Sequence, residues 1–311
     1  MSGFSVRQPG LLTLIQDRGR FGAFNLGLTN GGPLDTLAFD WANRLLGNDI
    51  NASALEISFG GLSLEAGVDT GIVITGAEIA CKINGESINQ WQTQSVREGD
   101  IIELGYTTNG TRAYLSVAGG FDIAPSFGST ATVVREKIGG LNGGKLQVDD
   151  HLPCASASIS QHYCLTGEQQ PQYGKTATLR VVAGYQQDAF DPIQQWRFFN
   201  SEYRVSDRCD RMGFRLEGEA IKSDMVGMLS EGIAHGAIQI PADGQPIVLM
   251  NDRQTIGGYP KIGSVIPQDT AKLAQLSPGA IIRFESISPE YAHNLYWLEK
   301  SRFERTQAVK C

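Results

Sequence analysis

The sequence predicts a mainly β protein made of two β-rich lobes with a few short helices. Three observations carry this reading. The 311 residues suggest two domains at roughly 150 residues each. The 37 glycines and 12 prolines are too many breakers for long helices and suit short strands joined by tight turns. The strongest apolar segments are short, rich in β-branched residues and closed by Gly, Asn or Asp.

Those segments are residues 71–77 (GIVITGA), 113–118 (AYLSVA), 178–183 (TLRVVA), 237–240 (AIQI), 246–250 (PIVLM) and 280–284 (AIIRF). Asn84-Gly85 and Asn109-Gly110 are hairpin-turn candidates, because both residue types tolerate positive φ. Three segments read as helix. In residues 33–46, Leu34, Leu37, Ala38, Trp41 and Leu45 recur at helical spacing between Pro33 and Gly47-Asn48. A short helix follows Asp269, with Leu273 and Leu276 on one face and Pro278-Gly279 as its stop. Ser288-Pro289 caps and opens a third, through Tyr291, Leu295 and Leu298. Residues 153–177 show little periodicity and are expected to be a linker or long loop between lobes at 1–152 and 178–311.

Composition excludes several classes. With 41% hydrophobic and 19% charged residues, a substantial core is available and global disorder is excluded. A net charge of −7 argues against a nucleic-acid surface. The first twenty residues hold only a five-residue apolar run, too short for a signal peptide, and no stretch has the ~20 apolar residues of a membrane span. The five cysteines are odd in number and form no CxxC pair, which points to free thiols and a cytoplasmic location.

The usual catalytic signatures are missing. Residues 139–146 have the glycine spacing of a phosphate-binding loop, but Leu146 stands where a Ser or Thr should bind magnesium. Gly174-Lys175-Thr176 ends correctly, but Gln169 replaces the first glycine. Both read better as turns. There is no GxSxG and no HExxH, and the four histidines are scattered, so no metal site is expected.

Three polar clusters stand out. In residues 230–260, two short strands flank a turn, and the second runs into Asn251-Asp252-Arg253-Gln254-Thr255, then Gly257-Gly258-Tyr259. Dense polar residues at a strand end, followed by glycines that admit close backbone approach, favour a site over a surface loop. Tyr259 could stack on a ligand or supply a hydroxyl. The second cluster, residues 206–213, contains Arg211, which could clamp a carboxylate or phosphate, although taken alone the cluster reads better as a solvated turn with local ion pairs. The third holds Gln16, Asp17, Arg18 and Arg20, then Gly31-Gly32 and Asp35 at a helix start. An anion site and ordinary exposed charges fit it equally well.

Together these residues resemble the KipA-like family, also described as allophanate hydrolase subunit 2 or biotin-dependent carboxyltransferase-like proteins. The matching features are Gln16-Asp17 with Gly19-Arg20, Gly31-Gly32 with Asp35, Ala42-Asn43, Leu55-Glu56, Gly76-Ala77, Gly119-Gly120, Gly128-Ser129-Thr130 and Arg211-Met212-Gly213. The most specific is the GxIQxPxxGQPIxLxxDxxTxGGYP run, filled by residues 236–260. Within the family, the resemblance runs to the C-type subunits of bacterial ATP-dependent 5-oxoprolinases. It implies a two-lobed, cyclophilin-like β-barrel architecture. It also implies opening of 5-oxo-L-proline to L-glutamate with hydrolysis of ATP, ATP and Mg2+ as cofactors, and no biotin attached to this chain. The implied partners are 5-oxoprolinase subunits B (KipI-like) and A, without which the chain would be inactive.

On that resemblance the expected catalytic residues are Asp252, for proton transfer or magnesium, with Arg253 and Arg211 for anion contacts. Gln239, Gln245 and Asn251 are expected on the lactam amide, and Gly257 and Gly258 on an oxyanion, beside Tyr259. Gln16, Asp17, Arg20 and Asp35 are expected as anion or partner-lobe contacts. Two other functions fit the same family: the carboxyltransferase component of a urea carboxylase-like system, and a KipA-like antagonist of a kinase inhibitor.

Overall fold

The structure is a computed structural model describing residues 2–225 and 228–311. It is mainly β and divides into two compact units. The first comprises residues 1–23, 30–173 and 306–311, and the second 24–29 and 174–305.

The first unit opens with β1 (Gly3–Pro9) and β2 (Leu12–Gln16), then helix α1 (Thr36–Leu45). Next come β3 (Ala54–Ser58), β4 (Leu62–Ala66), β5 (Thr70–Ile83), β6 (Glu86–Ile88), β7 (Gln94–Val96), β8 (Ile101–Val117), β9 (His151–Pro153) and β10 (Tyr163–Cys164). Strands one to nine form one sheet in the order β2-β3-β8-β4-β1-β9, with β5 pairing β6, β7 and β8. The core gathers apolar residues from these strands, Phe4, Leu55, Ile57, Leu64, Ile72 and Leu115 among them. Helix α1 starts where Asp35 caps it by accepting from Ala38 N at 3.1 Å. Ala38, Trp41 and Leu45 of the expected stripe are buried on it, joined by Phe39 and Ala42, whereas Leu37 is only partly buried and Leu34 lies before the helix.

Asn84-Gly85 makes the β5–β6 hairpin, with φ of 52° and 86°. Asn109-Gly110 does not make a hairpin. It lies inside the 17-residue strand β8, where the pairing with β5 shifts register around Glu78 and Asn109. The positive φ of Gly110, 79°, is used by a bulge that bends a continuous strand.

The segment 153–177, expected as a linker or long loop, belongs to the first unit as far as Tyr173 and carries β10. The glycines of residues 139–146 form turns against Ala131, Thr132 and Lys137. Leu146 fills the core, and no helix follows Lys145, so the phosphate-loop spacing is a loop device. All five cysteines are free thiols, and burial pushes Cys81 up to about 12 and Cys154 to about 11.

The second unit runs through β11 (Thr176–Ala183), α2 (Pro192–Asn200), β12 (Tyr203–Cys209), β13 (Gly213–Gly218), β14 (Glu231–Gly232), β15 (Ala237–Gln239) and β16 (Ile247–Leu249). It continues with β17 (Ile256–Gly257), β18 (Lys261–Val265), α3 (Pro267–Ala274), β19 (Ile281–Ile287) and α4 (Pro289–Arg305). A last strand, β20 (Val309–Lys310), returns to the first unit and pairs with β10. Seven strands close a barrel in the order β11-β18-β15-β16-β13-β12-β19, sealed by parallel pairing of β11 with β19. Leu179, Val181, Phe214, Leu216, Ile238, Val248 and Phe284 are buried among them. Helix α2 packs on β19, and its Phe198 stacks on Phe284 with centroids 4.4 Å apart. Helix α3 packs on β11, where Asp269 takes a bidentate grip from Arg180 at 2.7 Å on each oxygen.

Candidate functional site

The site builds from the strand end after β16. Met250 N donates to Met212 O at 2.9 Å and Asp252 N to Arg211 O at 2.8 Å, so the loop leaving β16 runs beside the turn entering β13. That turn is shaped by Asp210, whose Oδ1 accepts from Met212 N at 2.8 Å and Gly213 N at 3.1 Å. Across it Arg211 and Asp252 meet as a fork: Nε donates to Oδ2 at 2.9 Å and Nη2 to Oδ1 at 3.0 Å. Both side chains are only 6% exposed, so each is the other's buried counter-ion.

Arg253 points elsewhere. Its Nε donates to Ile233 O at 3.1 Å and its Nη1 to Met250 O at 3.3 Å, and its guanidinium lies 5.3 Å from the centroid of the Phe24 ring. Burial pulls its pKa down to about 10, which leaves it a cation at neutral pH. Asn251 Oδ1 lies 3.1 Å from His235 Nε2, so that nitrogen carries the proton it donates. Burial first, and then the Arg253 charge, hold the His235 pKa at about 4 against the opposing hydrogen bond. The imidazole is therefore neutral at pH 7. Gly236 turns the chain beside it (φ 76°), and the ring itself joins the polar cluster.

A second cluster lies on β15, β18 and the β14–β17 ribbon. Lys261 pairs with Glu231, and Gln186 Nε2 donates to the same carboxylate at 2.7 Å. Gln186 Oε1 in turn accepts from Lys261 N at 2.8 Å. The Glu231 pKa is lowered, chiefly by its Lys261 hydrogen bond and then by that of the Tyr185 hydroxyl. Gln239 is the register partner of Lys261 across β15 and β18, and it is 4% exposed. Gly257 leans over it: a Cβ there would sit 2.9 Å from Gln239 Nε2 and 2.6 Å from Ile233 Cδ1. Of this cluster only Gln239 and Gly257 are expected from sequence. Glu231 lies inside the 230–260 run, and Lys261 is the residue after Pro260, a lysine opening a strand that is otherwise apolar or small.

Other expected residues are placed apart from these clusters. Gln245 uses its amide on Gly218, accepting from N at 2.8 Å and donating to O at 3.2 Å, so it ties a turn to the end of β13. Tyr259 is half exposed, and Gly258 lies near Met228 O and Ser230 Oγ.

In the first unit, Asp17 accepts from Gly19 N at 2.9 Å, Ser129 Oγ at 2.6 Å and Thr130 N at 2.7 Å. Arg20, 1% exposed, donates to Ser126 O at 2.9 Å and Ala131 O at 3.2 Å. Gln16 bridges Thr132 O and Gly32 N. These three residues pin the 126–132 loop to the end of β2. Asp35 caps α1 and accepts from the Tyr173 hydroxyl at 2.8 Å. A cavity of ≈ 610 Å³ in this unit, lined by Arg44, Ser158, Tyr163 and Gln307, contains none of them.

The chain, whose barrel unit carries a buried ion pair, a neutral histidine and a lysine–glutamate cluster, matches the family model "Carboxyltransferase domain, subdomain A and B" over residues 26–286. The chain belongs to that family. It is 37% identical over 288 residues to the 5-oxoprolinase C subunit of Escherichia coli, covering 92% of each chain. To the 5-oxoprolinase C subunit of Haemophilus influenzae it is 34% identical over 282 residues, 90% of each. Among solved structures it superposes on the Kluyveromyces lactis urea carboxylase with a TM-score of 0.90 at 29% identity, covering 97% of this chain. It spans only 29% of that much longer chain. No helix among the described residues is long and apolar enough to cross a membrane.

Proposed function

We propose that this chain is a non-autonomous subunit of an ATP-dependent 5-oxoprolinase. The observation that carries the reading is its end-to-end likeness, 92% of both chains, to a 5-oxoprolinase C subunit. The reaction is 5-oxo-L-proline plus ATP and two waters giving L-glutamate, ADP and phosphate. A lactam carbonyl is a poor electrophile, and phosphorylating its oxygen opens the carbon to water. The water adduct collapses with cleavage of the C–N bond, the ring nitrogen leaves as the amine, and the acyl phosphate so formed is hydrolysed by a second water to glutamate and phosphate. The chemistry needs charge stabilisation near the oxygen and hydrogen bonds that orient the ring.

In this chain the second unit supplies those groups. Arg253 places a cation beside the polar loop, and the Arg211–Asp252 fork holds that loop in position. Asn251 and the neutral His235 offer a donor–acceptor pair, and Gln239 offers a carboxamide to the lactam.

Magnesium fits these residues poorly. Among the described residues no group of three or more His, Cys, Asp or Glu is gathered for a metal ion, and Asp252 already holds Arg211. No step is therefore assigned to magnesium on this chain. The test is release of glutamate and ADP from 5-oxoproline, ATP and magnesium. It is run with this chain alone, with subunits A and B, and with A and B lacking it. Matched products only in the complete mixture are expected; turnover by A and B without this chain refutes the reading.

The likeness to urea carboxylase, TM-score 0.90, favours one second reading: carboxyl transfer from carboxybiotin to a urea-like acceptor. The biotin carrier would then be another protein. Urea-dependent consumption of carboxybiotin by the chain distinguishes this reading from the first.

A further inference from the structure

Gln239 lies on a barrel strand and is 4% exposed, yet among the described residues nothing hydrogen-bonds its carboxamide. Its amide atoms are not sealed from solvent, so their hydrogen-bonding capacity is open to a ligand that displaces water. Lys261 stands opposite it on β18, and register partners project from the same face of a sheet with Cβ atoms roughly 5 Å apart. The Lys261 ammonium has three N–H donors, and among the described residues Glu231 is its one side-chain partner. Gln186 holds that Glu231 carboxylate and also the Lys261 main chain, so the ammonium is fixed in place with donors to spare. Gly257 brings only backbone over the carboxamide, where any side chain would collide with it.

From this juxtaposition, and resting on the lactam-acting reading above, we infer that Gln239 and Lys261 form a recognition site for a small cis-amide, a lactam or urea-type group. The shapes match. A cis-amide shows its N–H and C=O side by side on one edge, whereas peptide bonds are trans and show them on opposite sides. The Gln239 carboxamide presents the complementary edge, so two antiparallel hydrogen bonds form: Gln239 Nε2 donates to the ligand carbonyl, and the ligand N–H donates to Gln239 Oε1. The second lone pair of the ligand carbonyl accepts from Lys261. That oxygen is then held by one neutral and one charged donor, which draws electron density from the carbonyl carbon. Glu231 and Gln186 are positioning residues, since they act on the ligand only through Lys261.

The experiment measures dissociation constants by ligand-observed NMR for 2-pyrrolidinone and N-methyl-2-pyrrolidinone, on the full chain alone and with 5-oxoprolinase subunits A and B. N-methylation replaces the ligand N–H by a methyl group, removing the donor and adding bulk where Gln239 Oε1 would accept, and is expected to weaken binding at least about tenfold, the worth of one buried hydrogen bond. Gln239→Leu is expected to abolish that discrimination. Lys261→Met is expected to weaken both ligands alike, because both keep the carbonyl. A merely structural role does not produce this split. Should Gln239→Leu fail to fold, Gln239→Glu keeps the volume and removes the N–H donor, with the same expected loss of 2-pyrrolidinone affinity. Equal affinities for the two lactams in the wild-type chain, unchanged discrimination in a folded Gln239 variant, or no lactam binding in either preparation overturns the inference. Glutamate production in the complete mixture with an unchanged KM in Lys261→Met also overturns it while leaving the 5-oxoprolinase reading intact. The expected binding pattern without glutamate production supports the site and refutes that reading.

Discussion

Arg211 and Asp252 come from segments forty-one residues apart and close on each other through two hydrogen bonds, 2.9 and 3.0 Å, in a place almost without solvent. A fork of this kind fixes both the distance and the angle between the β13 turn and the loop after β16. Replacing one partner deprives the other of this buried counter-ion, a change that typically costs about 3–5 kcal/mol, whereas replacing both with apolar residues is often close to neutral. Urea denaturation should show Asp252→Ala strongly destabilised and Arg211→Met/Asp252→Leu largely recovered. Loss of activity in Asp252→Ala therefore has to be read beside its stability.

Arg253 gives Nε and Nη1 to main-chain carbonyls and is the cation proposed beside the polar loop. Arg253→Ala should abolish glutamate release by the assembled mixture. Arg253→Lys keeps the charge but cannot reproduce the planar fork, so it should recover only a small part of the rate. Full activity in Arg253→Ala, with the variant shown to be folded, removes Arg253 from the site.

His235 predicts a pH dependence. Its folded pKa, about 4, lies below the ordinary 6.5, so between these values the unfolded chain binds a proton that the folded chain does not. Its contribution is fully present above pH 6.5, declines as pH falls toward 4, and is gone below. Stability curves taken from pH 7 to 4 should fall in the wild type, and His235→Gln should flatten that window.

Gly257→Ala puts a Cβ 2.6 Å from Ile233 Cδ1 and 2.9 Å from the Gln239 amide. Overpacking of this order costs about 1–3 kcal/mol. The variant should melt lower than the wild type, and its lactam affinity should fall by more than its stability explains.

Asp17 predicts a purely structural outcome. It satisfies two backbone N–H groups and one hydroxyl in a buried loop. Asp17→Ala should destabilise the chain by about 2 kcal/mol or more, since it orphans those donors. Saturating phosphate should not alter the effect, because Arg20 beside it is committed to main-chain carbonyls.

The legible parts of the fold are those where one local signal settles the structure. Asp35 and Pro33 ahead of an apolar stripe give α1, Ser288-Pro289 gives α4, and Asn84-Gly85 gives a hairpin. The third helix begins at Pro267, two residues before the Asp269 that marks it in the sequence, because a proline takes the first helical position there. Asn109-Gly110 carries the same turn chemistry, but the partner strand β5 is long enough to run past it, and only the sheet reveals that. Helix α2 has an Asp191-Pro192 start, but its nine residues are too few for a clear period. The polar loop at Asn251, Asp252 and Arg253 is visible in the chain itself. Lys261 and Gln186 are not, because they come together only when β18 lies beside β15.

The parallel seam between β11 and β19 joins segments roughly a hundred residues apart, and β19 also lies against β12. Until synthesis passes Ile287, the nascent barrel has two raw edges with open backbone donors and acceptors. A chain stopped before Ile281 keeps both edges permanently. Such truncations offer templates for pairing with one another and should gather into insoluble aggregates rather than persist as a smaller soluble barrel. The last strand of the barrel thus decides whether the polypeptide already made stays in solution.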